Sequence, residues 1–142
     1  MAFKMKVMTN QGPLQIMNVT KKVGSEPDCV NKSNDVEAVQ RLFNIALPGS
    51  PLFQRFKFGL CDTNGIFDER LGFYIFRMQR GELMAGFTAS IIDGAVSTAK
   101  DFGYGSKTVY TIVALNQAAN RKNKPEFDKF MDTFPVVPQG VE

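Results

Sequence analysis

The sequence predicts a mainly α-helical domain with a short β-hairpin and an extended segment at its N-terminus. Three stretches carry apolar residues at helical spacing, and turn or capping residues bound them. Asp93 and Gly94 lie between apolar residues, which is typical of a tight hairpin because glycine tolerates positive φ. The 142 residues suit one domain that buries a core without disulfides or metal ions.

The start of the chain alternates loosely between apolar and polar residues. Phe3, Met5 and Val7 follow a period of two, and the turn-forming run 10–13 comes shortly after them. This region predicts one or two short extended segments, and a polar loop follows over residues 25–34.

The first helix is predicted to begin at Ser33 or Asn34, because either side chain can accept an unpaired backbone N–H. Pro48 and Gly49 end it. Residues 49–65 then predict a connection with a short extended stretch. The apolar face of this first helix consists of Val36, Val39, Leu42, Phe43 and Ala46.

Two more helices are predicted, over residues 68–79 and from about 106 to 120. The helix predicted over residues 68–79 is apolar around most of its circumference, which is typical of a central helix. Residues 98–107 between them predict a loop rich in Gly, Lys and Asp. Residues 125–131 predict one or two further helical turns.

Three motifs follow one another along these helices and turns. The first is DVEAVQRLFN at 35–44; the second is NGIFD at 64–68 with GFYIFRMQ at 72–79; the third is DGAV at 93–96 with TVYTIVALN at 108–116. In this order they resemble the opening helix, the Asp-Gly loop with its second helix, and the later Asp-Gly turn with its closing helix of peptidoglycan-binding domains of the PG-binding-1 type.

The resemblance implies a three-helix bundle over residues 33–117, in which the Asp-Gly turns set short connections. An N-terminal extension, 1–32, and a C-terminal tail, 118–142, would elaborate this core within a single domain, 1–142. No linker or low-complexity tract divides the chain, which agrees with one domain.

The resemblance also implies non-catalytic binding of bacterial cell-wall peptidoglycan fragments. The groove would lie between the second helix, the 62–67 loop and the 93–108 region. An aromatic side chain in a Gly-rich loop can lie against a sugar ring. The residues expected to contact the ligand are Asn64, Phe67, Arg70, Tyr74, Asp93 and Tyr104.

Three positions depart from the family motif: Asn64 stands where the family has Asp, Asp68 stands where it has Gly, and the Thr that opens the second helix is replaced near Leu71. Such departures make an inherited fold more credible than inherited ligand contacts. The alternative is a protein-interaction module that keeps the fold without the ligand site. An immunity or adaptor protein of a cell-wall-directed toxin or secretion system would be of this kind.

Composition argues against catalysis. The absence of histidine excludes Ser-His-Asp and Cys-His sites and every histidine-containing zinc site. Cys29 and Cys61 are too few for a four-cysteine zinc site, and free thiols or one bridge both remain open. Acidic residues such as Asp62 lie in turns and caps, so a glycosidase pair is not expected. We therefore expect a protein that is not an enzyme and uses no cofactor or metal.

The charge pattern bears on partners. The formal net charge is +3, from 17 Lys and Arg against 14 Asp and Glu, and the charges are scattered as on a solvated surface. Nucleic-acid binding is therefore not expected.

No apolar run is long enough to span a membrane. The N-terminus lacks the apolar core of a secretory signal, so we expect a protein that is cytoplasmic as synthesised, with export by a signal-independent route left open. The oligomeric state is also left open.

Overall fold

A computed structural model describes residues 2–9, 12–83, 92–99 and 110–136. Within these ranges the longest helix has 14 residues, and none could cross a membrane. The predicted mainly α, three-helix bundle is wrong, because the described residues form five helices and two two-stranded antiparallel sheets. In chain order the elements are β1 (Phe3–Thr9), β2 (Gly12–Asn18), β3 (Val23–Gly24), α1 (Ser33–Ala46), α2 (Pro51–Phe56), α3 (Glu69–Gln79), β4 (Ala95–Val96), α4 (Thr111–Lys122) and α5 (Lys124–Met131).

Helix α2 lies where the sequence predicts a connection with an extended stretch. Ser50 Oγ accepts the Phe53 N–H at 3.2 Å, and Pro51 occupies the first turn, so these residues start the helix. Lys57 ends it in the left-handed region at φ 55°. The Ser-Pro pair is a helix start signal that the aromatic spacing of this stretch obscures.

The predicted N-terminal extended segments pair with each other. Strands β1 and β2 are antiparallel, from Phe3 opposite Asn18 to Thr9 opposite Gly12. Alternation along β1 buries Met5 and Val7. The hairpin is therefore at the N-terminus of the chain.

Strand β4 pairs with a segment remote in sequence. Its residues Ala95 and Val96 lie opposite Gly24 and Val23 of β3. Gly24 allows the close approach, because a Cβ there would lie 2.7 Å from the Ala95 Cα. The other arm of the expected hairpin includes residues 86–91, which lie outside the described residues.

Helix α3 confirms the prediction for residues 68–79, because Asp68 Oδ1 accepts the Leu71 N–H at 2.8 Å. The cap expected at Ser33 or Asn34 is wrong. The residue before α1 is Lys32, which makes no side-chain cap bond. Helix α4 begins at Thr111 in the described chain; residues 100–109 of the predicted third helix and loop lie outside it.

Asp35, in the first turn of α1, anchors the chain that follows β2. Its buried carboxylate accepts the Thr20 hydroxyl at 2.8 Å and the N–H groups of Thr20 and Lys21 at 3.0 and 3.1 Å. A buried carboxylate needs such donors to offset its lost hydration. The Asp35 carboxylate therefore joins the start of α1 to the chain that follows β2.

One hydrophobic cluster includes both ends of the described chain. Phe43 of α1, Ile75 of α3 and Ile112 of α4 are fully buried in it. Ile16 of β2 and Phe127 of α5 belong to the same cluster. The N-terminal hairpin and α5 therefore pack against the helices that carry the three motifs.

Asn116 joins α4 to the edge of β2 that β1 leaves open. Its Oδ1 accepts the Met17 N–H at 2.8 Å, and its Nδ2 donates to the Met17 carbonyl at 2.9 Å. The same nitrogen donates to the Ile112 carbonyl at 2.7 Å. This buried amide occupies the place of a neighbouring strand for one residue.

We expect Asn116→Ala to lower the free energy of unfolding by about 3 kcal/mol, because both main-chain groups of Met17 lose their partner while buried. Urea unfolding measures this change. The control is Asn120→Ala on the same helix, which is partly exposed. That change is expected to cost less than about 0.5 kcal/mol. Equal losses for the two variants would contradict the role given to Asn116.

Candidate ligand-binding site

Two Asx-Gly turns in the described residues are each held by a buried glutamine. Gln40 of α1 holds the turn at 64–66, and Gln79 of α3 holds the turn at 93–95. Both side chains are essentially inaccessible to solvent. A primary amide suits this task because it carries two donors and an acceptor and can pair with N–H and C=O groups of one turn.

Gln40 bonds each residue of the first turn. Its Oε1 accepts the Gly65 N–H at 3.0 Å, and its Nε2 donates to the Ile66 carbonyl at 3.0 Å and to Asn64 Oδ1 at 3.2 Å. Asn64 Oδ1 also accepts the Ile66 N–H at 3.0 Å. Gly65 has φ 73°, and a Cβ there would lie 2.8 Å from the Ser33 carbonyl oxygen, so the position requires glycine.

Gln79 repeats this arrangement at the second turn. Its Oε1 accepts the N–H groups of Gly94 and Asp93 at 2.8 and 3.2 Å. Its Nε2 donates to the Ala95 carbonyl at 3.0 Å, Asp93 Oδ1 at 3.1 Å and Thr111 Oγ1 at 2.9 Å. Asp93 Oδ1 also accepts the Ala95 N–H at 3.0 Å. The bonds of Gln79 therefore join the end of α3, the β4 turn and the start of α4.

These glutamines and turns are the residues that carry the motif resemblance. Gln40 is the Gln of the first motif and Gln79 the Gln that closes the second; each is followed in the chain by the turn that it holds. Apolar spacing alone identifies the first Gln only as part of an amphipathic helix. A Gln on an otherwise apolar helix face, followed by an Asx-Gly pair, is the signal that identifies this arrangement.

Two predicted ligand residues bind the chain just before the first turn. The Tyr74 hydroxyl donates to the Gly59 carbonyl at 2.7 Å, and Arg70 Nη1 donates to the Leu60 carbonyl. Tyr74 is fully buried, and its ring lies 6.1 Å from that of Phe43. Burial raises the pKa of the Tyr74 hydroxyl. Tyr74 therefore fixes the position of the loop and offers no exposed surface.

The other predicted residues are distributed over both turns. Asn64 and Asp93 belong to different turns, and each accepts hydrogen bonds within its own. Phe67 is half-buried, with its ring against Gly72, where a Cβ would lie 3.0 Å from it. Tyr104 lies outside the described residues. The structure thus brings Asn64 and Phe67 together in one loop at the start of α3.

Two apolar residues of this loop face solvent and are absent from the predicted set. Leu60 is 43% exposed and Ile66 is 65% exposed. Ile66 follows Gly65 in the turn held by Gln40, so its main chain is fixed while its side chain is free to meet a partner. Its place directly after an Asn-Gly pair is the signal that could have identified it. We call residues 60–67 the loop face.

The two thiols are free, which answers the question of pairing left open by the sequence. Burial, and then the charge of Asp68, raise the pKa of Cys61 to about 12. Burial also raises the pKa of Cys29, which is partly exposed. Because the thiolate is the reactive form, neither thiol is prepared as a nucleophile at neutral pH.

Three acidic residues of the described ranges have structural roles. Asp35, Asp68 and Asp93 each accept main-chain N–H groups. In the same part of the chain no three Cys, Asp or Glu side chains are grouped so that they could hold a metal ion. The carboxylates of Asp35, Asp68 and Asp93 therefore hold the main chain of turns and helix starts.

We expect Gln40→Met to lower the free energy of unfolding by about 3 kcal/mol, because the Gly65 N–H and Ile66 carbonyl lose buried partners. Gln54→Met is the control, since Gln54 is exposed on α2. Urea unfolding measures both, and amide hydrogen exchange localises the loss to residues 64–66. A Gln40→Met protein as stable as the control would disprove the role of this amide.

Thiol labelling tests the chemical state of the cysteines. At about pH 8 we expect iodoacetamide to modify Cys29 in the folded protein and to leave Cys61 unmodified, because the raised pKa keeps Cys61 protonated. In urea both should react. Peptide mass spectrometry measures the sites; rapid labelling of Cys61 in the folded protein would contradict its burial.

Three comparisons with known proteins bear on this site. A scan against protein-family models, a search of curated proteins and a search of solved structures found no match to this chain. The likeness to peptidoglycan-binding domains therefore depends on the quoted motifs.

Proposed function

We propose that this chain is a non-catalytic domain that binds peptidoglycan fragments of the bacterial cell wall. The supporting observation is that both motif turns are built in the same way, each on a buried glutamine from the preceding motif helix. The residues that carry the resemblance are therefore the residues that form the two glutamine-held turns. Binding of this ligand does not require the predicted three-helix bundle, which the structure contradicts.

The loop face is the proposed contact surface. Gln40 fixes its main chain, which lowers the entropy lost on binding. Ile66 and Leu60 offer apolar contact, and Asn64 offers an exposed amide. Arg70 adds a positive charge beside Leu60, suited to the carboxylates of a muropeptide stem.

The structural roles of acids and thiols support binding rather than catalysis. Asp68 caps α3, and Asp93 closes the second turn. Cys61 is protonated at neutral pH because burial raises its pKa. An acid or nucleophile would have to give up these contacts before reacting.

A second candidate is a protein-interaction module that does not bind the wall. The observation that favours it is the exposure of two apolar side chains, Leu60 and Ile66, within one loop, since exposed apolar patches are typical of protein interfaces. The immunity or adaptor protein considered from the sequence belongs to this class. Both candidates use the loop face, so the ligand distinguishes them.

The test is retention on insoluble peptidoglycan at low and high salt. We expect salt-resistant retention of the parent protein and an apparent affinity reduced by about five- to tenfold in Ile66→Ser, which corresponds to roughly 1 kcal/mol of lost apolar contact. Val30→Ser is the matched control, because Val30 is 57% exposed outside the loop face. It should leave retention unchanged.

Each outcome has a defined meaning. Retention lost in high salt indicates charge attraction alone and contradicts a specific site. Equal loss in Ile66→Ser and Val30→Ser removes the loop face as the contact. If no protein is retained, the peptidoglycan proposal fails. Binding of a purified protein partner that Ile66→Ser weakens and Val30→Ser does not would then establish the second candidate.

A further inference from the structure

A second surface, on α2 and α3, combines phenylalanine rings with basic side chains. It is formed by Phe56, Phe58 and Phe73 together with Arg55 and Lys57, and we call it the aromatic face. Residues 53–58 read FQRFKF, so aromatic and basic residues alternate in the chain itself. Folding then adds Phe73 and Arg77 from α3.

Phe58 is held in place while its ring stays accessible. Its centroid lies 4.8 Å from that of Phe73, with the rings at 77°, and 6.1 Å from that of Phe56. Phe73 and Phe56 lie 5.0 Å apart at 73°. Edge-to-face contacts of this kind fix ring orientation. Phe58 nevertheless remains 47% exposed, so a planar ligand can stack on it without reorganising the cluster.

The positive charge of this face is only partly neutralised. The Arg77 guanidinium lies 4.8 Å from the Phe56 centroid, and Glu82 pairs with Arg77 at 3.0 Å. The Arg55 guanidinium also lies over the Phe56 ring, 5.3 Å from its centroid. In the described ranges no carboxylate forms an ion pair with Arg55 or Lys57. Two basic groups therefore remain to attract an anion next to an exposed ring.

A shallow depression of about 410 Å³ lies beside these groups. It is lined by Phe53, Gln54, Lys57 and Gly59, the residues that surround Phe58 in the chain. Two residues there have left-handed main chain, Lys57 at φ 55° and Gly59 at φ 76°. Arg70 and Tyr74 hold the adjoining carbonyls at 59 and 60.

We propose that the aromatic face binds single-stranded nucleic acid, with a base stacked on Phe58 and phosphates against Arg55 and Lys57. A basic surface with accessible aromatic rings is the common feature of proteins that bind single strands with little sequence preference. An acidic peptide would use the charges and leave the ring unpaired. A duplex would keep its bases out of reach of Phe58.

This inference does not depend on the proposed wall-binding function. From the sequence no nucleic-acid partner is expected, because the basic residues are scattered along the chain and their spacing does not show an aromatic cluster. The structure brings basic residues together beside an aromatic cluster. Arg55 and Arg77 are 22 positions apart in the chain, yet the guanidinium groups of both lie over Phe56.

The test is fluorescence anisotropy with a labelled oligothymidylate of about 20 nucleotides, longer than the ~4–16 nucleotides that one small domain covers. An abasic strand of equal length is the second probe. We expect Phe58→Ala to weaken oligothymidylate binding by about five- to a hundredfold and to leave abasic binding unchanged. Phe58→Trp should retain binding, because indole also stacks. Circular dichroism verifies that both variants fold.

Charge variants test the phosphate contacts. Arg55→Gln and Lys57→Gln should weaken binding of both probes, and each should reduce the slope of log affinity against log salt by roughly 0.7. Lys129→Gln removes the same charge from α5, where the side chain is 76% exposed, and should leave the slope unchanged. This control separates local contacts from net charge.

Three results would overturn the proposal. The first is no binding of oligothymidylate at low salt. The second is equal affinity for the abasic strand and oligothymidylate, or for polyglutamate, which would reveal charge attraction alone. The third is a Phe58→Ala protein that folds and binds as the parent does. Selective loss of oligothymidylate binding in Phe58→Ala, with retention in Phe58→Trp, establishes the site.

Discussion

The paired hydrogen bonds of two buried glutamines, Gln40 and Gln79, are the constraint on which the rest of this structure depends. Each side chain is removed from water, and each pairs with the main chain of a turn that follows much later in the chain. A buried glutamine amide without a partner at either place would lower the free energy of unfolding by about 1–3 kcal/mol. Each helix and the turn that it holds therefore stabilise one another. Throughout the described residues, every buried side-chain nitrogen and oxygen has a partner.

These bonds determine what the surface can present. The Gln40 bonds hold the loop that exposes Ile66, while Tyr74 and Arg70 of α3 hold the carbonyls that precede it. Gly59 belongs to both the held segment and the depression next to Phe58. The loop face and the aromatic face therefore share a border at which side-chain hydrogen bonds hold the main chain.

Local signals predicted the helices that carry the motifs. The extent of α3 follows from its apolar spacing and from the Asp68 cap, both of which act within one turn of helix. The α2 helix was obscured because its Ser-Pro start lies in a stretch of regularly spaced phenylalanines. Of the candidate site, the sequence identified Asn64 and Phe67 in one loop but assigned Tyr74 to ligand contact, since nothing local distinguishes a buried tyrosine hydroxyl from an exposed one.

The sequence by itself determined the positions of α1 and α3, the two Asx-Gly turns and the lack of histidine chemistry, because each is a matter of composition or of neighbours within a few residues. Tertiary structure alone decided the β3–β4 pairing, the anchoring of β2 by Asn116 and the convergence of basic and aromatic side chains on one face. These contacts join residues that are far apart in the chain, and spacing along a sequence carries no measure of such distances.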